Sequence, residues 1–123
     1  MAKPGKTGLI RLIDAFGYTI KGVRQAWKSE AAFRQESVLC LMLLPAAFWL
    51  GSTALETALL IAALFLVLLV ELLNSAIEAL TDRFGDEFHH LAGAAKDMGS
   101  AAVFFSLLIT LLIWGGVAWQ RFS

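Results

Sequence analysis

The chain has 123 residues, room for a single domain. Hydrophobic residues make up 59% and charged residues 16%, with a mean hydropathy of +0.72; a soluble chain this short cannot hide that much apolar surface, which excludes an ordinary globular domain. The formal net charge of zero conceals a strong asymmetry: lysines and arginines crowd the N-terminal third, yet Asp14, Glu30 and Glu36 interleave with them, which argues against a nucleic-acid partner.

In chain order, the first element predicted is an amphipathic surface helix over about residues 6–28. Leu9, Leu12, Ile13, Phe16, Ile20, Val23 and Trp27 recur at helical spacing, with Arg11, Asp14, Lys21, Arg24 and Lys28 between them. Gly17 and Gly22 weaken this helix and predict a bend or break near Tyr18. No apolar core follows directly on the basic start, so the segment is expected to be retained rather than cleaved as a signal peptide.

Three membrane spans follow, over about residues 31–50, 55–78 and 98–119. The apolar part of the first, from Ser37 to Leu50, is shorter than the roughly 20 residues a bilayer crossing takes; it carries Pro45 and must borrow length from residues 31–36. Cys40 lies in this run and is expected to be a buried, unreactive thiol, with no disulfide possible inside the chain. Trp49, Trp114 and Trp119 lie near span ends, as interfacial anchors do. Basic residues precede the first span and are missing from residues 51–57, so the N-terminus is expected to be cytoplasmic, with Asp82, Arg83, Asp86, Glu87, His89, His90, Lys96 and Asp97 in a polar connector on the same side.

At the end of the second span and just past it, Glu71, Asn74, Glu78 and Asp82 fall close to whole helical turns and share one face. A carboxylate at a helix centre costs about 2.5–3.5 kcal/mol on insertion scales, less near a helix end, so these residues point to function. Upstream, Glu30 and Arg34 are four apart and read as a helical ion pair, with Glu36 at the edge of the first span. One carboxylate from this segment and one from Glu78 suit Mg²⁺, which takes few carboxylates and completes its shell with water and phosphate oxygens. Lys96 suits neutralisation of phosphate charge. Adjacent His89 and His90 with a single cysteine make a zinc site a poor reading.

Glu30-Ala-Ala-Phe-Arg-Gln-Glu36, Glu71-Leu-Leu-Asn-Ser-Ala-Ile-Glu78 with Asp82-Arg83 following, and Ala95-Lys-Asp-Met-Gly-Ser-Ala101 closely resemble the bacterial integral-membrane diacylglycerol kinase family. The resemblance extends over nearly the whole chain. It implies a single all-α integral-membrane kinase domain spanning residues 1–123, assembled as a homotrimer with active sites shared between subunits in the bacterial inner membrane. It further implies transfer of phosphate from MgATP to diacylglycerol. Carried onto this sequence, Glu71 is the general base and Glu30 and Glu78 are the Mg²⁺ ligands. Arg11, Tyr18, Glu87, His89, Lys96 and Asp97 contribute to the nucleotide site. Arg11, Glu71, Asn74 and Ser100 meet the lipid substrate.

Two rival readings stand beside this one. An undecaprenol kinase of the same fold has the same chemistry on another lipid. A non-enzymatic membrane protein whose carboxylates line an aqueous path accounts for Glu71, Asn74 and Glu78 but not for Glu30, Lys96 and Asp97.

Overall fold

The computed structural model describes residues 7–83 and 90–123. Their secondary structure is helical: α1 (Gly8–Ser29), α2 (Ala31–Leu50), α3 (Ala54–Asp82) and α4 (His90–Phe122). Three of these, α2, α3 and α4, are long and apolar enough to cross a membrane, with mean hydropathies of 1.3, 2.5 and 2.2 over their apolar stretches.

Helix α1 runs unbroken through Tyr18, where the sequence predicts a bend. Gly17 and Gly22 each lower helix propensity by about 1 kcal/mol relative to alanine, but neither forbids helical dihedrals, and the continuous backbone ladder outweighs them. Leu9, Leu12, Ile13 and Phe16 remain exposed on it. The helix ends at Glu30, whose backbone is extended (φ −118°, ψ 108°). The Glu30 N–H still donates to the Ala26 carbonyl at 2.9 Å.

Arg34 does not form the helical pair predicted with Glu30. Its Nη1 donates instead to the carbonyls of Trp27 at 2.7 Å and Lys28 at 3.2 Å. The last carbonyls of α1 lack donors within the helix and carry its negative dipole end, so a guanidinium one turn into the next helix is a natural cap. Glu30 is thereby placed between two helices rather than on the face of one.

Helix α2 takes in residues 31–36 and carries Pro45 inside it. At the turn that follows, a Cβ on Gly51 would come 2.8 Å from the Thr57 backbone nitrogen, so the tight approach requires glycine. Thr53 then caps α3: its Oγ1 accepts from the Glu56 N–H at 3.1 Å, while Glu56 Oε1 accepts from the Ser52 N–H at 2.9 Å. Thr53→Ala is expected to lower stability by about 1 kcal/mol, read as an earlier midpoint when folded protein in micelles is titrated with denaturing detergent. An unchanged midpoint would show the cap to be dispensable.

Helix α3 is central, packed most extensively on α4 and next on α2. Leu60, Ala63, Leu64 and Val67 form its buried stripe. Leu60, fully buried, joins Ala47, Leu50 and Val117 in a core cluster at the turn end of the bundle. A polar staple ties α4 to α3 along this region: Trp114 Nε1 donates to the Leu60 carbonyl at 3.2 Å, while the single Thr110 hydroxyl proton is shared between the Ser106 carbonyl at 2.9 Å and the Ala63 carbonyl at 3.2 Å. Trp114 is thus partly buried against the core. Trp49 remains exposed, with the Phe122 ring centroid 5.8 Å away and the Arg121 guanidinium 5.4 Å above it. Cys40 is buried, its thiol donating to the Leu64 carbonyl at 3.7 Å.

At 29 and 33 residues, α3 and α4 are roughly 43 and 50 Å long, well beyond a hydrocarbon core of about 30 Å. Lys96 and Asp97, expected in the polar connector before the third span, accordingly sit in the early turns of α4. The alanine-rich stretch from Leu91 to Ala95 carries the helix past its apolar part.

Candidate active site

The buried stripe of α3 does not stop where its apolar residues do. Glu71 lies four residues beyond Val67, one helical turn on, so helix geometry alone carries its carboxyl into the interior. It is 5% exposed. Across from it stands Glu36 of α2, and Glu36, Glu30 and Glu78 lie close enough for their charges to act in its neighbourhood. Four carboxyl groups therefore gather at the end of the bundle away from the Leu60 cluster.

The sequence places Glu36 at the edge of a span, in a segment offering one carboxylate to Mg²⁺, and gives no sign of its place against Glu71. The available signal was its own cost: a carboxyl inside a membrane helix asks for a reason as much as those of α3 do. Its Oε2 is buried without a hydrogen-bond partner among the described residues. An acceptor left so costs about 1–3 kcal/mol.

Asn74, one turn beyond Glu71, turns toward α4, where its Oδ1 is likewise buried and unpartnered. It rests against Gly99, which is buried, while the neighbouring Ser100 is exposed. One turn before Gly99, Lys96 Nζ donates to Asp82 Oδ1 at 2.7 Å, with 43% and 64% of the two side chains exposed. Surface pairs of this kind are worth little in stability and exchange partners readily. The pairing with Asp82, fourth residue of the polar stripe, pulls Lys96 toward the same end of α3 as Glu78, whose charge it also feels. Asp97 is exposed on α4.

The structure does not bring every candidate to this cluster. Arg11 and Tyr18 are exposed on α1, and Tyr18 has Lys21 Nζ 5.8 Å above its ring. Glu87 and His89 lie outside the described residues. Among the described residues, no three histidine, cysteine or acidic side chains converge into a metal cage. Mg²⁺ needs none, since one or two carboxylates with phosphate oxygens and water complete its shell, so the donor chemistry of Glu30 and Glu78 fits it.

An apolar groove of about 860 Å³ opens between α1, α2 and α3, walled by Trp27, Phe33, Ser37, Phe65, Leu69 and Leu72 among others. On α3 its wall of Phe65, Leu69 and Leu72 is a stripe beside the buried one that carries Glu71.

This geometry has a counterpart in sequence. A sequence model of the family described as prokaryotic diacylglycerol kinase matches residues 17–118. Diacylglycerol kinase of Escherichia coli strain K12 is 50% identical over 117 residues, covering 95% of this chain and 96% of its own length. That of Pseudomonas aeruginosa is 49% identical over 113 residues, covering 92% of each chain. That of Haemophilus influenzae is 48% identical over 111 residues, covering 90% of this chain and 94% of its own. A membrane-type helical bundle with a buried acidic cluster at one end, matched over nearly its whole length, belongs to the prokaryotic diacylglycerol kinase family.

Proposed function

We propose that the chain is an ATP-dependent diacylglycerol kinase, transferring the γ-phosphoryl group of MgATP to the free hydroxyl of diacylglycerol to give phosphatidic acid. The observation that carries this reading is the buried Glu71 carboxyl with Glu36, Glu30 and Glu78 close around it. A glycerol hydroxyl brought to these carboxyls meets in Glu36 Oε2 a buried acceptor with no donor among the described residues.

A primary alcohol is a poor nucleophile at neutral pH. As its oxygen attacks the γ-phosphorus, Glu71 takes the hydroxyl proton, the new P–O bond forms and the bond to the β-phosphate oxygen breaks, leaving ADP. Glu30 and Glu78 would hold Mg²⁺, which supplies neutralisation of charge on the phosphate oxygens when bound with the nucleotide. Lys96 has three N–H donors and uses one on Asp82, so it serves phosphate oxygens without losing its anchor. Asn74 and Ser100 shape the place where lipid and phosphate meet. Arg11, Tyr18 and Asp97 contribute to nucleotide binding, together with Glu87 and His89.

The exposure of Arg11 and Tyr18 on α1, while Glu71 is buried, supports an active site completed by a neighbouring subunit, in a homotrimer. The exposed apolar side chains of α1, Leu9, Leu12, Ile13 and Phe16, support a helix lying in the membrane interface. The basic N-terminal third supports a cytoplasmic N-terminus and a site on the cytoplasmic face of the inner membrane.

The reading is tested by phosphate transfer from labelled ATP in mixed micelles, offering diacylglycerol and undecaprenol in parallel, with and without Mg²⁺. Mg²⁺-dependent labelling of diacylglycerol is expected. Labelling of undecaprenol alone moves the lipid assignment to the polyprenol branch, and labelling of neither by folded protein overturns the kinase.

A further inference from the structure

We infer that Gly99 is a positioning residue for Asn74: the bare backbone of α4 at this point holds the Asn74 carboxamide in the orientation that aims its N–H donors at the transferring phosphoryl group. The inference rests on the proposed place of Asn74 at the reaction site and adds a residue that touches neither lipid nor nucleotide.

Gly99 is buried where α4 meets α3. A Cβ built on it collides with Asn74 Oδ1 and lies 3.3 Å from Asn74 Cγ and 3.7 Å from Ile77 Cδ1. The hydrogen that glycine carries in place of that Cβ therefore points at the amide oxygen, a weak C–H···O contact for an acceptor that has no other partner among the described residues. An amide is planar, so fixing Oδ1 on one side fixes the two N–H donors on the other.

A methyl group here has no easy escape. Sliding α4 along α3 is resisted by the packing of the two helices, the most extensive pairing in the bundle. It is resisted too by the bond from Trp114 Nε1 to the Leu60 carbonyl. The register is therefore held by the interface as a whole. What gives way is the terminal amide of Asn74, which has a side-chain torsion free to turn. By contrast, Gly115 and Gly116, farther along the same helix, have open space at the Cβ position.

The test is a double-mutant cycle of Gly99→Ala and Asn74→Ser, assayed for kcat and for KM of ATP and diacylglycerol, with unfolding midpoint and oligomeric state measured on each variant. Gly115→Ala is the control, expected to keep wild-type turnover. Gly99→Ala is expected to lower kcat by roughly 10- to 100-fold, the scale of an ångström-sized misplacement, with KM for ATP within about twofold and assembly intact. In the Asn74→Ser background, where the shorter side chain leaves room, the same substitution should cost nothing further.

Wild-type turnover in Gly99→Ala overturns the inference, as do losses that multiply in the double variant. Should Gly99→Ala fail to fold, recovery of folding in the double variant upholds the contact, and failure there too assigns the fault to the helix interface and overturns it. Full activity of Asn74→Ser alone is a different result: it removes Asn74 from the reaction site and sinks the reading on which the inference rests.

Discussion

Glu71→Gln is expected to lower kcat by about 10²- to 10⁴-fold, the range a general base contributes, while helicity and assembly survive. Glutamine keeps the shape of glutamate and can still accept a hydrogen bond, but it cannot take a proton from the lipid hydroxyl. The fold has no reason to suffer. Glu71 is buried among Glu36, Glu78 and Glu30, so replacing it with a neutral amide relieves repulsion rather than orphaning a cation. The measurement is single-turnover phosphate transfer at saturating ATP and diacylglycerol, alongside circular dichroism and sizing of the purified variant. Near-normal turnover would refute the base assignment, whatever the lipid.

The second large effect is expected in the metal dependence. Glu30→Gln and Glu78→Gln should each raise the Mg²⁺ concentration needed for half-maximal turnover by at least roughly 10- to 100-fold, the loss seen even for outer-shell partners of metal sites. Glu56→Gln serves as the control: it too removes a carboxylate from α3, but one that caps the helix at the turn end and should leave the titration where it was. Superimposable Mg²⁺ titrations for all three variants would dismiss Glu30 and Glu78 as ligands. Glu30 is informative because of where it stands. The extended backbone at Glu30 and the commitment of Arg34 to the carbonyls of Trp27 and Lys28 release its carboxylate from the pairing that its spacing suggested. A helical Glu30–Arg34 pair would have offset the charge that a cation site requires.

The same comparison shows how misleading spacing becomes at helix ends. Four residues separate Glu30 from Arg34, which implies contact only if one helix contains both. The chain breaks between α1 and α2 instead, and the arginine answers the unsatisfied carbonyls behind it. Tyr18 illustrates the reverse error: glycines nearby argue for a break on propensity, yet α1 passes through, because a propensity penalty spread over a long helix decides little. Where the pattern was periodic and the helix long, the expectation fared better. Glu71, Asn74 and Glu78 do lie along one side of α3, since a continuous helix turns spacing into direction.

Features that depend on one helix at a time are therefore legible in the chain: four helical elements, three of them apolar enough for a membrane, and a polar row running out of the buried stripe of α3. Hydropathy and the helical repeat are local properties, and the costly carboxyls announce themselves wherever they occur in an apolar run. Only the tertiary structure decided which faces meet. That Glu36 lies against Glu71, that Lys96 reaches back to Asp82, and that Asn74 needs a glycine opposite it on α4 all follow from the pairing and register of helices far apart in the chain. Such register is set by the interdigitation of side chains over whole interfaces, where a displacement of a single turn exchanges every partner, and no spacing within one segment encodes it.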